Sequence, residues 1–330
     1  MKRIFTVLLP ALILLAVITF FNSSAQSAVS VEVITPTPSY AQNSAPIAPS
    51  PTPKSTPTVR QINVLLGEST QKMSEDDYLI CVLAGEISPK SNIEALKAQA
   101  VAARTYLYNK ILNGGCNKSD GDICADYKHC QAFKSVDDMR KGWGNSFDEY
   151  FNKISLAVTS TANEVVTFEQ KPINALYHSS SANKTEDCVS VFGGNYPYLV
   201  SVKSPETQSE NKSATFTKQE FLQKVNSSFD LSLTKIDIKI ATRTKSGRVA
   251  TVFLDDKQIK ATALRTCLGL RSTDFTFTLS SESITFYTFG YGHGVGMSQA
   301  GAKQMADDGK NYKQILTHYY SGTSVEKYYL

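Results

Sequence analysis

The chain has 330 residues, of which 34 are lysine or arginine and 30 are aspartate or glutamate. Four of the basic residues and one acidic residue lie within the first 60, so residues 61–330 carry 30 basic and 29 acidic residues and are almost neutral. A nucleic-acid-binding domain usually has a clear basic excess, so this balance argues against that class and predicts no nucleic-acid partner.

The first 60 residues have the composition of an anchor and a linker, not of a folded domain. Two basic residues precede an uncharged, mostly apolar run from Ile4 to Phe21. At helical rise this run nearly crosses a bilayer core, so we predict a membrane anchor over residues 1–25. The alternative is a signal peptide cleaved near the small residues Ser24–Ala28. Residues 26–60 are rich in Pro, Ser and Thr, which predicts an extended tether.

Residues 61–330 predict an α+β domain outside the cytoplasm, with enough chain for two lobes around a groove. Acidic residues after Ser74 indicate a helix N-terminus. The segment between Leu156 and Tyr177 predicts strands and turns. Other helices are expected over residues 94–109, 218–229 and 298–307. Strand-like runs cover residues 64–66, 236–240, 249–254 and 284–289.

Two blocks of sequence carry the clearest functional signal. The first contains Gly85-Glu86 and continues into Glu94-Ala-Leu-Lys-Ala-Gln-Ala-Val-Ala-Ala-Arg-Thr-Tyr106. The second, from Gly290 to Ala302, has five glycines and His293 within twelve residues. Such a loop permits tight turns and close backbone approach, but its glycine spacing fits neither a P-loop nor a dinucleotide fingerprint.

Together these blocks resemble the family of stage II sporulation protein D and the amidase enhancers. The resemblance extends from about Val64 to Leu330. It implies a lytic transglycosylase that acts on cell-wall glycan, with Glu86 as the catalytic acid. Such an enzyme needs one carboxyl group where hydrolytic glycosidases usually need two. The same Glu would protonate the glycosidic oxygen and then take the proton of the 6-hydroxyl that closes a 1,6-anhydro ring.

Other residues of the matching blocks are candidates for substrate contact. Lys97 and Arg104 are seven residues apart and share a helix face, where they would contact substrate or tune Glu86. Ser298 could instead cap the following helix, and His293 could hold the loop. The block after His178 lacks the family's glycine pair and reads Ala182-Asn183. The full candidate set is Lys97, Arg104, Tyr177, His178, His293, Ser298 and Gln299.

A cluster of cysteines predicts a metal site. Cys116, Cys124, His129 and Cys130 lie close in sequence, and thiolates with an imidazole suit tetrahedral Zn²⁺. Some relatives bind zinc through two cysteines six apart and an upstream histidine. Cys124 and Cys130 keep that spacing, but Lys118 stands where the histidine would be, so either Cys116 or His129 would supply the third ligand. We expect a zinc ion that shapes the cleft wall, with a disulfide within the cluster as the alternative. Outside it, Cys81 is expected to pack in the core, and Cys188 and Cys267 either pair or stay single.

Two functions remain open from sequence. The first is an anchored sporulation transglycosylase, for which the resemblance implies work in forespore engulfment at the mother-cell membrane facing the septum. Its implied partners are peptide-stripped glycan strands, the sporulation amidase/endopeptidase protein P and the membrane protein M. The second is a non-catalytic module that activates an amidase. A zinc hydrolase is the weakest reading, since no HExxH motif is present.

Overall fold

The computed structural model describes residues 60–118, 121–206 and 212–330. The predicted anchor and nearly all of the predicted tether lie outside these residues. Within them, no helix combines the length and apolar character needed to cross a membrane. The region is built from helices and several small sheets, which confirms the predicted α+β class.

Up to residue 206 the chain alternates short strands with helices. These elements are β1 Gln61–Leu66, β2 Ser69–Ser74, α1 Glu75–Glu86, α2 Ile93–Leu112, β3 Ile123–Cys124, α3 Val136–Trp143, α4 Phe147–Ser160, β4 Glu164–Phe168, β5 Lys171–Pro172, β6 Tyr177–His178 and α5 Cys188–Phe192. The remaining elements are β7 Lys212–Thr217, α6 Lys218–Phe229, β8 Ile238–Arg243, β9 Val249–Leu254, β10 Lys257–Lys260, α7 Ala261–Leu268, β11 Phe275–Leu279, β12 Ser283–Thr288, β13 Met297–Ser298, α8 Gln299–Asp307, α9 Tyr312–Tyr319 and β14 Ser324–Lys327.

The sheets of the described region are small. Their strand orders are β2-β1-β3, β14-β4-β5, β10-β9-β8, β11-β12-β7 and β13-β6. Most pairs are antiparallel, but β6 and β13 run parallel, with Tyr177 opposite Met297 and His178 opposite Ser298. This short pairing joins the middle of the chain to the start of α8.

The apolar side chains form two separate clusters. The first surrounds α1 and α2 and draws on residues 62–202 and 295–330. The second lies within residues 214–286 and is formed by α6, α7 and strands β7–β12. We call these parts the main lobe and the inserted lobe. Two clusters agree with the expected capacity for two lobes.

Helices α1 and α2 form the centre of the main lobe because they are apolar on almost all sides. Ser74 caps α1 by accepting from the Asp77 N–H, and Asn92 caps α2 by accepting from the Glu94 N–H. Alanine is frequent in α2, so neighbouring elements can approach its backbone closely. Helices α4, α8 and α9 and strand β4 all pack against it.

Candidate active site

Glu86 is the last residue of α1, and its side chain is half-buried. Three donors meet its carboxyl group. The backbone N–H of Ala132 donates to Oε1 at 2.7 Å, and the Tyr177 hydroxyl donates to the same oxygen at 3.3 Å. The side-chain amide of Gln299 donates to Oε2 at 3.3 Å. Because the donors come from three distant parts of the chain, the tertiary fold holds this carboxyl in place.

Gly85 lets the Ala132 segment come close enough to reach Glu86. A Cβ atom at Gly85 would lie 3.1 Å from both the Ala132 carbonyl carbon and the Phe133 nitrogen. Such contacts are tighter than ordinary van der Waals distances, and backbone atoms cannot swing aside as a flexible side chain can. The Gly-Glu pair of the sequence therefore has a structural reason: the glycine makes room for the backbone donor that the glutamate uses.

The surroundings of Glu86 favour its protonated form. Burial raises the pKa of its carboxyl group, and the hydrogen bonds from Ala132, Gln299 and Tyr177 only partly oppose that rise. Across the described ranges, no second carboxylate contacts Glu86 or contributes to its shift. A carboxyl with a raised pKa can hold a proton at a pH where an exposed glutamate has lost it. The group can therefore act as an acid first and as a base afterwards.

Two buried side chains behind Tyr177 extend this network and were not predicted. Gln131 donates from Nε2 to the Tyr177 hydroxyl at 2.8 Å and accepts at Oε1 from the Tyr78 hydroxyl at 2.9 Å. Burial raises the pKa of both tyrosines well above its usual range, so both remain neutral donors. The only sequence signal for Gln131 was its place directly after Cys130.

The glycine loop brings Gln299 to Glu86. At Gly296 the backbone has a φ of 73°, and a Cβ there would lie 1.9 Å from the Leu176 carbonyl oxygen. Only glycine fits such an approach, which allows β13 to pair with β6. Helix α8 then begins beside Tyr177, and its first residue, Gln299, reaches the acid. Gln299 also donates to the side chain of Gln99 at 3.4 Å.

Ser298 is buried and has a structural role. Its hydroxyl accepts from the Gly301 N–H at 3.2 Å, which caps α8, and donates to Glu206 Oε1 at 2.8 Å. Glu206 also accepts from the hydroxyls of Ser180 and Ser204. Ser298 has no exposed surface, so its predicted substrate contact is corrected to the capping role that the sequence left open.

The two histidines differ in exposure. His178 is buried, with Nδ1 3.1 Å from the Val295 carbonyl and Nε2 bonded to the Ser181 hydroxyl. Its predicted substrate contact is corrected, since both ring nitrogens have internal partners. His293 is half-buried and accepts at Nδ1 from the Val295 N–H at 3.1 Å. Its ring centroid lies 5.6 Å from that of His178, which directly follows Tyr177 in β6.

Lys97 and Arg104 have different environments, although both lie on α2. Lys97 is half-buried, pairs with Glu94 at 2.8 Å and lies over the ring of Tyr312. Arg104 is completely buried, and its Nε donates to Glu75 at 2.9 Å. Its predicted role in substrate contact is therefore corrected to a structural one. When a helix packs on most of its faces, the sequence spacing of two charged residues does not show which neighbouring element each of them contacts.

The four predicted ligands come together as a candidate metal centre. The ligand atoms of Cys116, Cys124, His129 and Cys130 all lie within 4.8 Å of one another. His129 Nδ1 is 3.6 Å from the sulfur of Cys116 and 3.3 Å from the sulfurs of Cys124 and Cys130. Tetrahedral coordination with metal–sulfur and metal–nitrogen distances of about 2.3 and 2.0 Å would separate N from S by about 3.5 Å. The cluster could thus hold a metal ion, and the adjacent His129 and Cys130 both reach it.

The cysteines are all free thiols in the structure. The alternative of a disulfide within the cluster is therefore not adopted. Cys188 belongs to the core of the main lobe and Cys267 packs against that of the inserted lobe, so these two do not pair. Cys81 packs in the main core as predicted, and burial raises its pKa to about 12.

The metal cluster is linked to Glu86 by two residues of chain. Cys130 is followed by Gln131, which holds Tyr177, and then by Ala132, which donates directly to the acid. The position of Cys130 thus determines where two supports of the Glu86 carboxyl lie.

Comparison with known proteins agrees with this arrangement. The family model described as "Stage II sporulation protein" matches residues 67–168, which include Glu86 and the cysteine cluster. Stage II sporulation protein D of Bacillus subtilis (strain 168) is 37% identical over 279 residues, covering 83% of this chain and 80% of the relative. Its counterpart from Bacillus amyloliquefaciens is 36% identical over 283 residues, covering 84% and 81%. An amidase enhancer of Bacillus subtilis is 27% identical over 305 residues, covering 75% of this chain and 40% of the relative. The chain belongs to the stage II sporulation protein D family.

Proposed function

We propose that this protein is a peptidoglycan lytic transglycosylase in which Glu86 is the general acid and base. The observation that carries the proposal is the carboxyl group itself: it is half-buried, has a raised pKa, is held by three donors and has no carboxylate neighbour among the described residues. A hydrolase with two carboxylates would need a second acidic group beside it.

The proposed reaction returns Glu86 to its starting state. Protonated Glu86 gives its proton to the glycosidic oxygen between N-acetylmuramic acid and N-acetylglucosamine, and the C1–O bond breaks as C1 becomes oxocarbenium-like. The Glu86 carboxylate then takes the proton of the 6-hydroxyl of the same muramic acid. That oxygen bonds to C1 and closes the 1,6-anhydro ring. Tyr177 and Gln299 hold the carboxyl in one orientation through both steps.

We further propose that the metal is Zn²⁺. Three thiolates and one imidazole match its preferred ligands and fill a tetrahedron with protein atoms. Such a site lacks the open position of a catalytic zinc, so it would supply folding energy and rigidity. In this role the ion fixes Cys130 and, through it, the Gln131 and Ala132 supports of Glu86.

The biological setting follows from family membership as part of the same proposal. The substrate would be glycan strands already stripped of stem peptides, and the work would be forespore engulfment. The partners would be the sporulation amidase/endopeptidase protein P and the membrane protein M. A single N-terminal span would hold the domain outside the mother-cell membrane, facing the septum.

A second candidate function is activation of a cell-wall amidase without catalysis. The 27% identity to an amidase enhancer favours it. In that case the protein would bind glycan but transfer no proton through Glu86. The two candidates therefore differ in one result: only for a transglycosylase does the wild type cleave the glycan while the Glu86→Gln variant leaves it intact.

Mass spectrometry of glycan digests tests the choice. The full-length chain and its Glu86→Gln variant are incubated with amidase-treated cell-wall glycan in the presence of zinc. The proposal expects fragments ending in 1,6-anhydro-N-acetylmuramic acid from the wild type alone. Intact glycan with both proteins, together with a faster amidase when either is added, would replace the proposal by the enhancer function.

A further inference from the structure

A patch of arginine and aromatic side chains lies beside the glycine loop. Its members are Arg265, Arg271, Tyr291, Phe192 and His293, which we call the arginine patch. Tyr291 is 48% exposed and Phe192 is 55% exposed, so both rings offer surface to a ligand. The two arginines and His293 are half-buried.

The arginines of the patch form no ion pair with any acidic side chain that the structure describes. Arg271 lies over the ring of Tyr291, 4.5 Å from its centroid, and its carbonyl accepts from the Gly292 N–H. Arg265 donates from Nε to the Leu270 carbonyl at 3.2 Å, so its two terminal nitrogens are left for another acceptor. Throughout residues 60–118, 121–206 and 212–330, neither guanidinium forms an ion pair within 4.0 Å.

A third arginine adds positive charge behind the patch. Arg248 is buried against Gly294, and its Nε and Nη1 have no hydrogen-bond partner within the described part of the chain. The charges of Asp274, Glu186 and Glu206 act on its guanidinium. Burial, followed by the charges of Arg265 and Arg248, lowers the pKa of His293 to about 4. The ring is therefore neutral at physiological pH and adds no positive charge to the patch.

The patch adjoins the acid through a short series of contacts. Phe192 packs on His293 with ring centroids 5.3 Å apart, and the His293 ring lies 5.6 Å from that of His178, the residue after Tyr177. The Tyr177 hydroxyl contacts Glu86. Phe192, His293, His178 and Tyr177 thus form a continuous series from the patch to Glu86.

We propose that Arg265 and Arg271 form a subsite for the lactyl carboxylate of an N-acetylmuramic acid residue, with the rings of Tyr291 and Phe192 against the sugars. This inference rests on the proposed function. The sugars of such a glycan are neutral apart from this group, which is a carboxylate on a peptide-free residue and a neutral amide where a stem peptide is attached. A guanidinium matches a carboxylate with two parallel hydrogen bonds and has no equivalent partner in an amide. The subsite therefore distinguishes peptide-free from peptide-bearing glycan.

Binding measurements on the full-length chain test the subsite. Glu86→Gln is used as the background so that ligands stay intact, and calorimetry compares peptide-free glycan fragments with chito-oligosaccharides of equal length. The latter have the same N-acetyl groups but no lactyl carboxylate. We expect the peptide-free glycan to bind about tenfold more tightly, an advantage that the double variant Arg265→Gln/Arg271→Gln removes. Arg243→Gln, which removes an exposed cation from the same lobe, is the matched control and should keep it.

Salt gives a second readout that does not depend on the variants. The advantage of the carboxylate ligand should shrink as ionic strength rises, while binding of the neutral chito-oligosaccharide stays constant. Equal affinity for both ligands, or a preference that survives loss of both arginines, would overturn the subsite and leave the transglycosylase proposal standing. Absence of binding to either ligand would refute the glycan function and the subsite with it.

Discussion

Replacing Arg104 by methionine should destabilise the fold far more than it affects the chemistry. The guanidinium donates to Glu75 at 2.9 Å and to the carbonyl oxygens of Val158, Thr161 and Glu164 at 3.1, 2.8 and 3.3 Å. The carbonyls of Val158 and Thr161 belong to the C-terminal end of α4, where they also accept from the N–H groups of Thr161 and Glu164, and Arg104 gives each of them a further, charged donor. Methionine fills similar volume but donates to none of them.

The expected loss is about 3 kcal/mol of unfolding free energy, the lower end of the cost of breaking a buried ion pair. The charge concerned is Glu75, whose side chain is only 8% exposed but would keep Arg60 at 3.3 Å and the Tyr108 hydroxyl at 2.9 Å. Urea unfolding followed by circular dichroism would measure it. The matched control is Lys97→Met on the same helix, whose half-exposed pair with Glu94 is worth only ~0–1 kcal/mol. The double variant Arg104→Met/Glu75→Gln should recover part of the loss, because it removes the charge that has lost its buried arginine. If Arg104→Met cost less than about 1 kcal/mol yet abolished glycan binding, the structural assignment of Arg104 would be refuted.

Three further outcomes follow from the geometry around the acid. The hydrogen bond from Gln299 lowers the pKa of Glu86, so Gln299→Leu should raise that pKa further. The fall of kcat on the alkaline side of the pH profile should then move to higher pH. A profile that stays in place or moves to lower pH would contradict this. Gly85→Ala places a methyl carbon 3.1 Å from the backbone of Ala132 and should displace the N–H that donates to Glu86. We expect kcat to fall at least about tenfold with KM little changed. A variant with the kcat of the wild type would show that the close approach is not needed. Metal analysis should find one zinc per chain. Cys130→Ala or chelation should lower the metal content and should lower kcat by about 10–100-fold. Full activity without metal would refute the role of the ion in positioning the supports of Glu86.

The elements that were predicted well carry local signals at their ends. Helix α6 spans Lys218–Phe229 as expected, because Thr217 and Glu220 form a capping box. Helix α8 likewise starts after the capping residue Ser298. Helix α4 was missed, since the prediction of strands and turns began at Leu156 while the helix runs from Phe147 to Ser160. Its last turn contains the β-branched residues Val158 and Thr159, which favour a strand if the helical spacing of the upstream aromatic residues is not considered.

The residues of the candidate site also differ in how far local sequence signals predict them. The four candidate metal ligands are close in sequence, and their ligand atoms lie within 4.8 Å of one another in the fold. The catalytic role of Glu86 comes from its motif and stays a prediction. Two of the three donors to Glu86, Tyr177 and Gln299, belong to the predicted candidate set. Ala132 could not be predicted, because it contributes only a backbone N–H and every residue but proline has one. Arg104 was misassigned because seven-residue spacing gives a shared face but not the element packed against it.

Cleavage without water is the central claim, and the source of the new chain-end oxygen tests it most directly. Peptide-free glycan is digested by the full-length chain in ordinary water and in water enriched in ¹⁸O, and the fragments are weighed by mass spectrometry. Intramolecular attack by the 6-hydroxyl predicts 1,6-anhydro ends with the same mass in both solvents. Reducing ends that carry ¹⁸O at the moment of cleavage would mean that water is the nucleophile, and Glu86 would then need a second carboxylate that the described structure does not provide beside it.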